Sequence, residues 1–270
     1  MSKVTVGDIN MYYEIHGEGE PLLLIMGLGG VSAMWWLQVP AFSKEYQVIV
    51  FDNRGVGQTD KPDIPYSVRM MTNDAAGLLE ALGIPAAHVY GVSLGGLIAQ
   101  GLALSYPDKV ISLVLGATSG GGHHAVAPSP EVSQQLLDMA NLPPEEAIRL
   151  FAQICFSPTF LESNPGRIAE LLEKGMETPA SSPVGYRRQW EASMRFNVYD
   201  QLPEIKAPTL VITGIEDQLL PADNSRVLAS KIPNAELVLL DGLGHGYLWE
   251  ADEKSNQIVL DFLKRHRRSR

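Results

Sequence analysis

Nearly unbroken apolar runs recur along this chain at residues 21–26, 46–51, 87–90, 110–115, 209–213 and 236–240. They lack the apolar–polar alternation of a half-exposed strand, so they predict strands covered on both faces, as in a mostly parallel sheet. Between them, residues 35–44, 68–82, 95–105, 222–231 and 252–265 read as helices. Strand and helix alternate, which predicts βαβ units wound into a doubly wound α/β sheet. Ahead of these units, residues 4–6 and 10–15 flank Gly7-Asp8 and predict an opening hairpin.

The alternation fails once. From residue 119 to residue 207 no buried strand is evident, and helical segments are punctuated by Pro128, Pro130, Pro143, Pro144, Pro158, Pro165, Pro179 and Pro183. This segment predicts a helical insertion, entered through the flexible Ser119-Gly120-Gly121-Gly122. The chain then divides into a core of residues 1–118 and 208–270 and a cap of residues 119–207. An insertion leaving the carboxyl end of a strand stands over the edge where α/β sheets place ligands, so it is positioned to act as a lid.

Composition narrows the function classes. At 270 residues the chain is long enough to bury a sizeable core without covalent staples. Its single cysteine, Cys155, forms no internal disulfide and reads as a small buried hydrophobe, and no Cys/His spacing suggests a metal. The formal net charge of −10 argues against a nucleic-acid partner. The basic tail from Lys264 to Arg270 is expected to complement the dipole of a final helix. The N-terminus lacks the apolar stretch of a signal peptide, and no run reaches transmembrane length. The expectation is a soluble cytoplasmic protein with no membrane partner and no cofactor.

The strongest chemical signal is Gly91-Val92-Ser93-Leu94-Gly95, set between the run at 87–90 and the helix that follows. A serine on a sharp strand-to-helix turn presents its hydroxyl outward, and small residues two before and two after it permit the turn. Serine is a weak nucleophile alone and needs an imidazole base held by a third group. Among six histidines His245 is the best placed, in the glycine-rich loop Gly242-Leu243-Gly244-His245-Gly246 after the run at 236–240. His123 and His124 near the lid hinge are secondary candidates for touching substrate. The orienting carboxylate is expected after the run at 209–213, where Glu216 and Asp217 both qualify. Asp52, after the run at 46–51, is expected to hold its own loop instead. The amide of Leu94, at a helix start, suits a developing oxyanion, and the amide of Leu28 in Met26-Gly27-Leu28-Gly29-Gly30 is the second expected donor.

These segments together resemble the α/β-hydrolase superfamily, from the opening hairpin to the last helix. The matching stretches are Leu22-Leu23-Leu24-Ile25-Met26-Gly27, Phe51-Asp52-Asn53-Arg54-Gly55-Val56-Gly57-Gln58-Thr59-Asp60, Gly91-Val92-Ser93-Leu94-Gly95-Gly96, Gly214-Ile215-Glu216-Asp217-Gln218-Leu219-Leu220-Pro221 and Gly244-His245. The resemblance implies an α/β-hydrolase fold with an inserted helical cap. The family's acid stands four residues before the proline of the fourth stretch, which implies Asp217 rather than Glu216.

Serine at position 93, in place of aspartate, disfavours the dehalogenase and epoxide-hydrolase branches. Met26 departs from the histidine usual before the oxyanion-loop glycine. Arg188-Gln189 is similar to the cap arginine of hydrolases that cleave ring-fission dienones, but Gly246 stands where those enzymes carry an aromatic residue.

The function expected is that of a carboxylesterase-type serine hydrolase acting on a small-molecule ester, with Ser93, Asp217 and His245 as triad and Leu28 and Leu94 as oxyanion donors. Trp35 and Trp190 are the expected substrate contacts, among aromatic and aliphatic lid residues such as Phe151, Phe156, Met194 and Phe196. The alternatives are a lactonase, a perhydrolase or a carbon–carbon bond hydrolase with the same serine, or a small-molecule receptor on the same fold.

Overall fold

The computed structural model describes residues 2–139, 141–177 and 182–268. Pro179 and the last two residues of the basic tail, Ser269 and Arg270, lie outside the described residues. Eight strands form one sheet: β1 (Ser2–Val6), β2 (Ile9–His16), β3 (Glu20–Ile25), β4 (Tyr46–Phe51), β5 (Ala87–Val92), β6 (Val110–Gly116), β7 (Thr209–Gly214) and β8 (Glu236–Leu240). Their order across the sheet is β1-β2-β4-β3-β5-β6-β7-β8. The hairpin β1–β2 and the pair β2–β4 are antiparallel, and every later pairing is parallel.

The helices that connect parallel strands are α1 (Gln38–Phe42), α2 (Val68–Ala81), α3 (Leu94–Ser105) and, between β7 and β8, α9 (Asp223–Lys231), while α10 (Tyr247–Glu250) and α11 (Asp252–Arg265) follow the last strand. Between β6 and β7 come α4 (Pro130–Met139), α5 (Pro144–Cys155), α6 (Pro158–Ser163), α7 (Pro165–Glu177) and α8 (Pro183–Met194). Each of these five begins on a proline. Five of the punctuating prolines, Pro130, Pro144, Pro158, Pro165 and Pro183, are therefore helix starts, where the missing N–H has no partner to lose and φ is already helical.

Successive residues of the central strands pack into two different cores, as period-two geometry requires. Leu23, Ile25, Ile49 and Phe51 join one cluster with Leu78 and Leu79 of α2 and Ile98 and Leu102 of α3. Leu22, Leu24, Val48 and Val50 join the other with Phe42 of α1 and Val259 and Phe262 of α11. Both faces are covered, which is why these strands needed no polar alternation.

Two expectations change. The helix expected over residues 35–44 is a 3-10 turn, Ser32–Trp35, followed by the short α1. Pro40 stands in the first turn of α1, and an earlier start would drive its ring into the carbonyl one turn back. The run at 236–240 forms β8, which pairs only with β7 and is half-exposed at the sheet edge, with Leu237 37% accessible. An apolar run alone does not distinguish a central from an edge strand.

Candidate active site

Ser93 stands between the end of β5 and the start of α3 with φ 57° and ψ −121°, a conformation L residues rarely adopt. Its neighbours impose it. A Cβ on Gly91 would collide with the carbonyl oxygen of Gly95, and a Cβ on Gly95 would collide with that of Ile25 in β3. Hydrogen bonds then hold the turn: the Ser93 amide donates to Gly116 O at 2.9 Å, and the Thr118 hydroxyl donates to Ser93 O at 2.8 Å. Gly95→Ala is expected to destabilise the protein by about 2 kcal/mol or more, because the methyl meets strand backbone that has no freedom to yield. Thermal unfolding checks this, and an unchanged melting temperature would show that the turn relaxes.

The loops after β7 and β8 are joined by backbone bonds from Ile215 N to Leu240 O and from Glu216 N to Leu243 O, both 2.9 Å. This junction sets His245 against Asp217, with Nδ1 2.8 Å from Oδ2. Asp217 also accepts the Leu219 and Leu220 amides on Oδ1, at 2.9 and 2.7 Å. An ionised carboxylate only accepts, so a neutral imidazole bonded to it donates from Nδ1 and keeps its lone pair on Nε2. Asp217 and His245 are both buried, whereas Glu216 is exposed. Of the two carboxylates left open by spacing, the structure brings Asp217 to the imidazole.

On the opposite side, the loop after β3 passes against Ser93, so that a Cβ on Gly27 would lie 3.1 Å from the Ser93 Cβ. The Gly30 amide closes a turn onto Gly27 O at 3.1 Å. The Asn53 side chain donates to Met26 O at 3.1 Å, and Asp52 Oδ1 accepts the Ser32 amide at 2.7 Å. The other oxygen of Asp52 accepts the Gln58 amide, also at 2.7 Å, so Asp52 secures its own loop and ties it to the loop after β3. The Leu28 amide has no hydrogen-bond partner among the described residues. Leu94 is the first residue of α3, where an amide has no carbonyl one turn earlier to bond.

Ser93, Leu28, Leu94 and His245 all line one cavity of about 410 Å³. Its wall is mainly apolar, with Val31, Met34 and Trp36 from the core and Phe151, Trp190 and Phe196 from the insertion. The Ser93 hydroxyl makes no hydrogen bond to His245 in this arrangement. Such contacts are often long in an empty site and tighten around substrate.

The expected substrate contacts divide. Trp190 lines the cavity. Trp35 does not: it is fully buried against Tyr90, ring centroids 5.2 Å apart, and its neighbour Trp36 takes the place on the wall. Adjacent residues of a tight turn point in different directions, and the packing under β5 claims Trp35. His123 and His124 are also absent from the wall, since His124 stacks on Tyr199 at 3.6 Å with His123 beside it. Phe156 is buried away from the cavity, while Met194 reaches it. Arg188 pairs with Asp63 at 3.1 Å and Glu191 at 3.2 Å and does not line the cavity. Cys155 is fully buried, and burial pushes its thiol well above the usual range.

Two residues beside the site carry no motif that spacing reveals. Glu250 accepts the Gly244 amide at 2.8 Å and the Ser157 amide and hydroxyl at 3.0 and 2.6 Å, so it ties the His245 loop to the insertion. Burial raises the pKa of its carboxyl. Gln189 of α8 makes the corresponding link to the Leu28 loop. No group of three or more metal-binding side chains gathers among the described residues, and none of their helices is long and apolar enough to cross a membrane.

A strained serine at a strand-to-helix turn, at the carboxyl edge of a largely parallel sheet, defines a class. The chain belongs to the alpha/beta hydrolase fold family, whose model matches residues 20–160. It is 31% identical to a candidate carbamate hydrolase from Azorhizobium caulinodans, over 95% of this chain and 96% of that one. The enol-lactonase from Burkholderia xenovorans superposes with a TM-score of 0.86 at 26% identity, covering 97% of this chain and 100% of that one. A thermophilic esterase from Thermogutta terrifontis gives 0.85 at 25% identity, over 99% and 100%. Hydrolases of several kinds thus share nearly the whole length, which supports hydrolase activity in general.

Proposed function

We propose that this chain is a serine hydrolase of carboxylic esters, acting on small or medium apolar substrates through an acyl-enzyme. The observation that carries this reading is the buried His245–Asp217 pair facing the same cavity as Ser93 on its strained turn. Nε2 of His245 takes the Ser93 proton as Oγ attacks the carbonyl carbon, and the Leu28 and Leu94 amides receive the oxyanion. Collapse expels the alcohol, which takes its proton from His245, and water then releases the acid by the same steps in reverse order. Trp190 and Trp36 contact the apolar part of the substrate. Residues 119–207 act as the cap that keeps bulk water from the acyl-enzyme. Acyl transfer of this kind requires no cofactor.

A lactone is a cyclic ester opened by the same steps, and the likeness to an enol-lactonase favours it as the second reading. Carbon–carbon cleavage of ring-fission dienones has less support, because Arg188 is engaged by Asp63 and Glu191 outside the cavity and Gly246 replaces an aromatic residue. The test is direct: a fluorophosphonate should label Ser93, and p-nitrophenyl acetate and butyrate should both be turned over. A panel of lactones run beside them separates the two readings. Tight ester binding with neither labelling nor turnover would instead identify a receptor on this scaffold.

A further inference from the structure

Three glycines surround Leu28 in the loop after β3: Gly27, Gly29 at φ 67°, and Gly30. Such a loop has little rigidity of its own. Yet a donor amide is useful only if it already points at the place where charge develops. The peptide that carries the Leu28 N–H also carries the Gly27 carbonyl, and a planar peptide unit sets the two in opposite directions. The Gly30 amide holds that carbonyl at 3.1 Å. The next peptide unit carries the Gly29 N–H, and this one is held from outside the loop, by a side chain of α8.

That side chain is Gln189, which is wholly inaccessible to solvent. Its Oε1 accepts the Gly29 amide at 2.9 Å, and its Nε2 donates to the Arg54 carbonyl at 2.9 Å. Arg54 is itself fixed, since its guanidinium bonds both oxygens of Asp74 at 2.6 and 2.8 Å. One turn earlier on the same face of α8, Gly185 lies so close to Gly55 that a Cβ would strike the Gly55 carbonyl. The helix is seated by Gly185 and reaches the loop through Gln189. A buried amide with both ends bonded to backbone of two separate loops has a single orientation available to it.

We propose that Gln189 is a positioning residue for the oxyanion loop: it locks the peptide after Leu28, so the cap and the oxyanion site form one rigid unit. This rests on the serine-hydrolase reading above. The residue touches no reacting atom and acts through the Leu28 amide.

The experiment compares wild type with Gln189→Met, which keeps side-chain length and removes both hydrogen bonds, and Gln189→Asn, which keeps the amide but withdraws it by one carbon. For p-nitrophenyl butyrate, kcat is expected to fall about 10- to 100-fold, part of the full loss of one oxyanion donor, while KM stays within about threefold. Affinity for a trifluoromethyl ketone, whose adduct with serine carries the oxyanion, should fall by the same factor as kcat. Merely loosened packing lowers the melting temperature without matching those two factors. Unchanged kcat in either folded variant, or a loss of kcat with full ketone affinity, overturns the proposal. If Gln189→Met does not fold, Gln189→Asn decides alone. Failure of wild type to turn over esters or to be labelled by fluorophosphonate overturns the serine-hydrolase reading instead, so the two failures are told apart.

Discussion

Ser93→Ala is expected to remain folded and to lose about 10⁵-fold in turnover of p-nitrophenyl butyrate, a difference of about 7 kcal/mol in the barrier. The fold has little to lose. The Ser93 hydroxyl makes no hydrogen bond among the described residues, and the bonds that hold the turn run through its backbone. Alanine has the same Cβ, so the strain at φ 57° is unchanged. The chemistry loses everything that depends on a covalent acyl-enzyme, and what remains is water attack assisted by the oxyanion donors. Steady-state kinetics beside a thermal unfolding curve give the answer. Equal rates in the two folded proteins would sink the nucleophile assignment.

Asp217→Asn carries the second-largest expected effect, a fall of about 10³- to 10⁴-fold in kcat with a nearly normal fold. The fold survives because the asparagine carbonyl still accepts the Leu219 and Leu220 amides that Oδ1 accepts now. At the other position an NH₂ replaces Oδ2 and donates to Nδ1 of His245. The ring proton moves to Nε2, leaving no lone pair to take the serine proton. Glu216→Gln is the matched control, since Glu216 is exposed and bonds the His245 loop only through its backbone. Similar kcat values for the two variants would remove Asp217 from the mechanism.

How far the site was legible depended on whether its signal was local. The turn at Ser93 announces itself because Gly91 and Gly95 must each be without a Cβ, and that demand is written within five residues. Among the described residues, the five α-helices between β6 and β7 were marked by the prolines that start them. Spacing narrowed the carboxylate to two neighbours, and the junction of the β7 and β8 loops, 28 residues apart at the bonded pair, selects Asp217. The choice between Trp35 and Trp36 was not legible, because two adjacent tryptophans in a short turn carry no periodicity. The packing of Trp35 on Tyr90 decides it.

Gln189 and Glu250 mark the same boundary from the other side. Gln189 bonds Gly29 across 160 residues, and Glu250 bonds Ser157 across 93. Neither has a spacing, since a hydrogen bond between distant segments constrains only where two backbones meet in space. By itself the sequence determined the alternating architecture and the glycine-flanked turn at Ser93, because periodicity and steric demand act between near neighbours. Only the tertiary structure decided which side chains wall the cavity and which ones brace its loops, because those contacts exist only after distant segments have packed together.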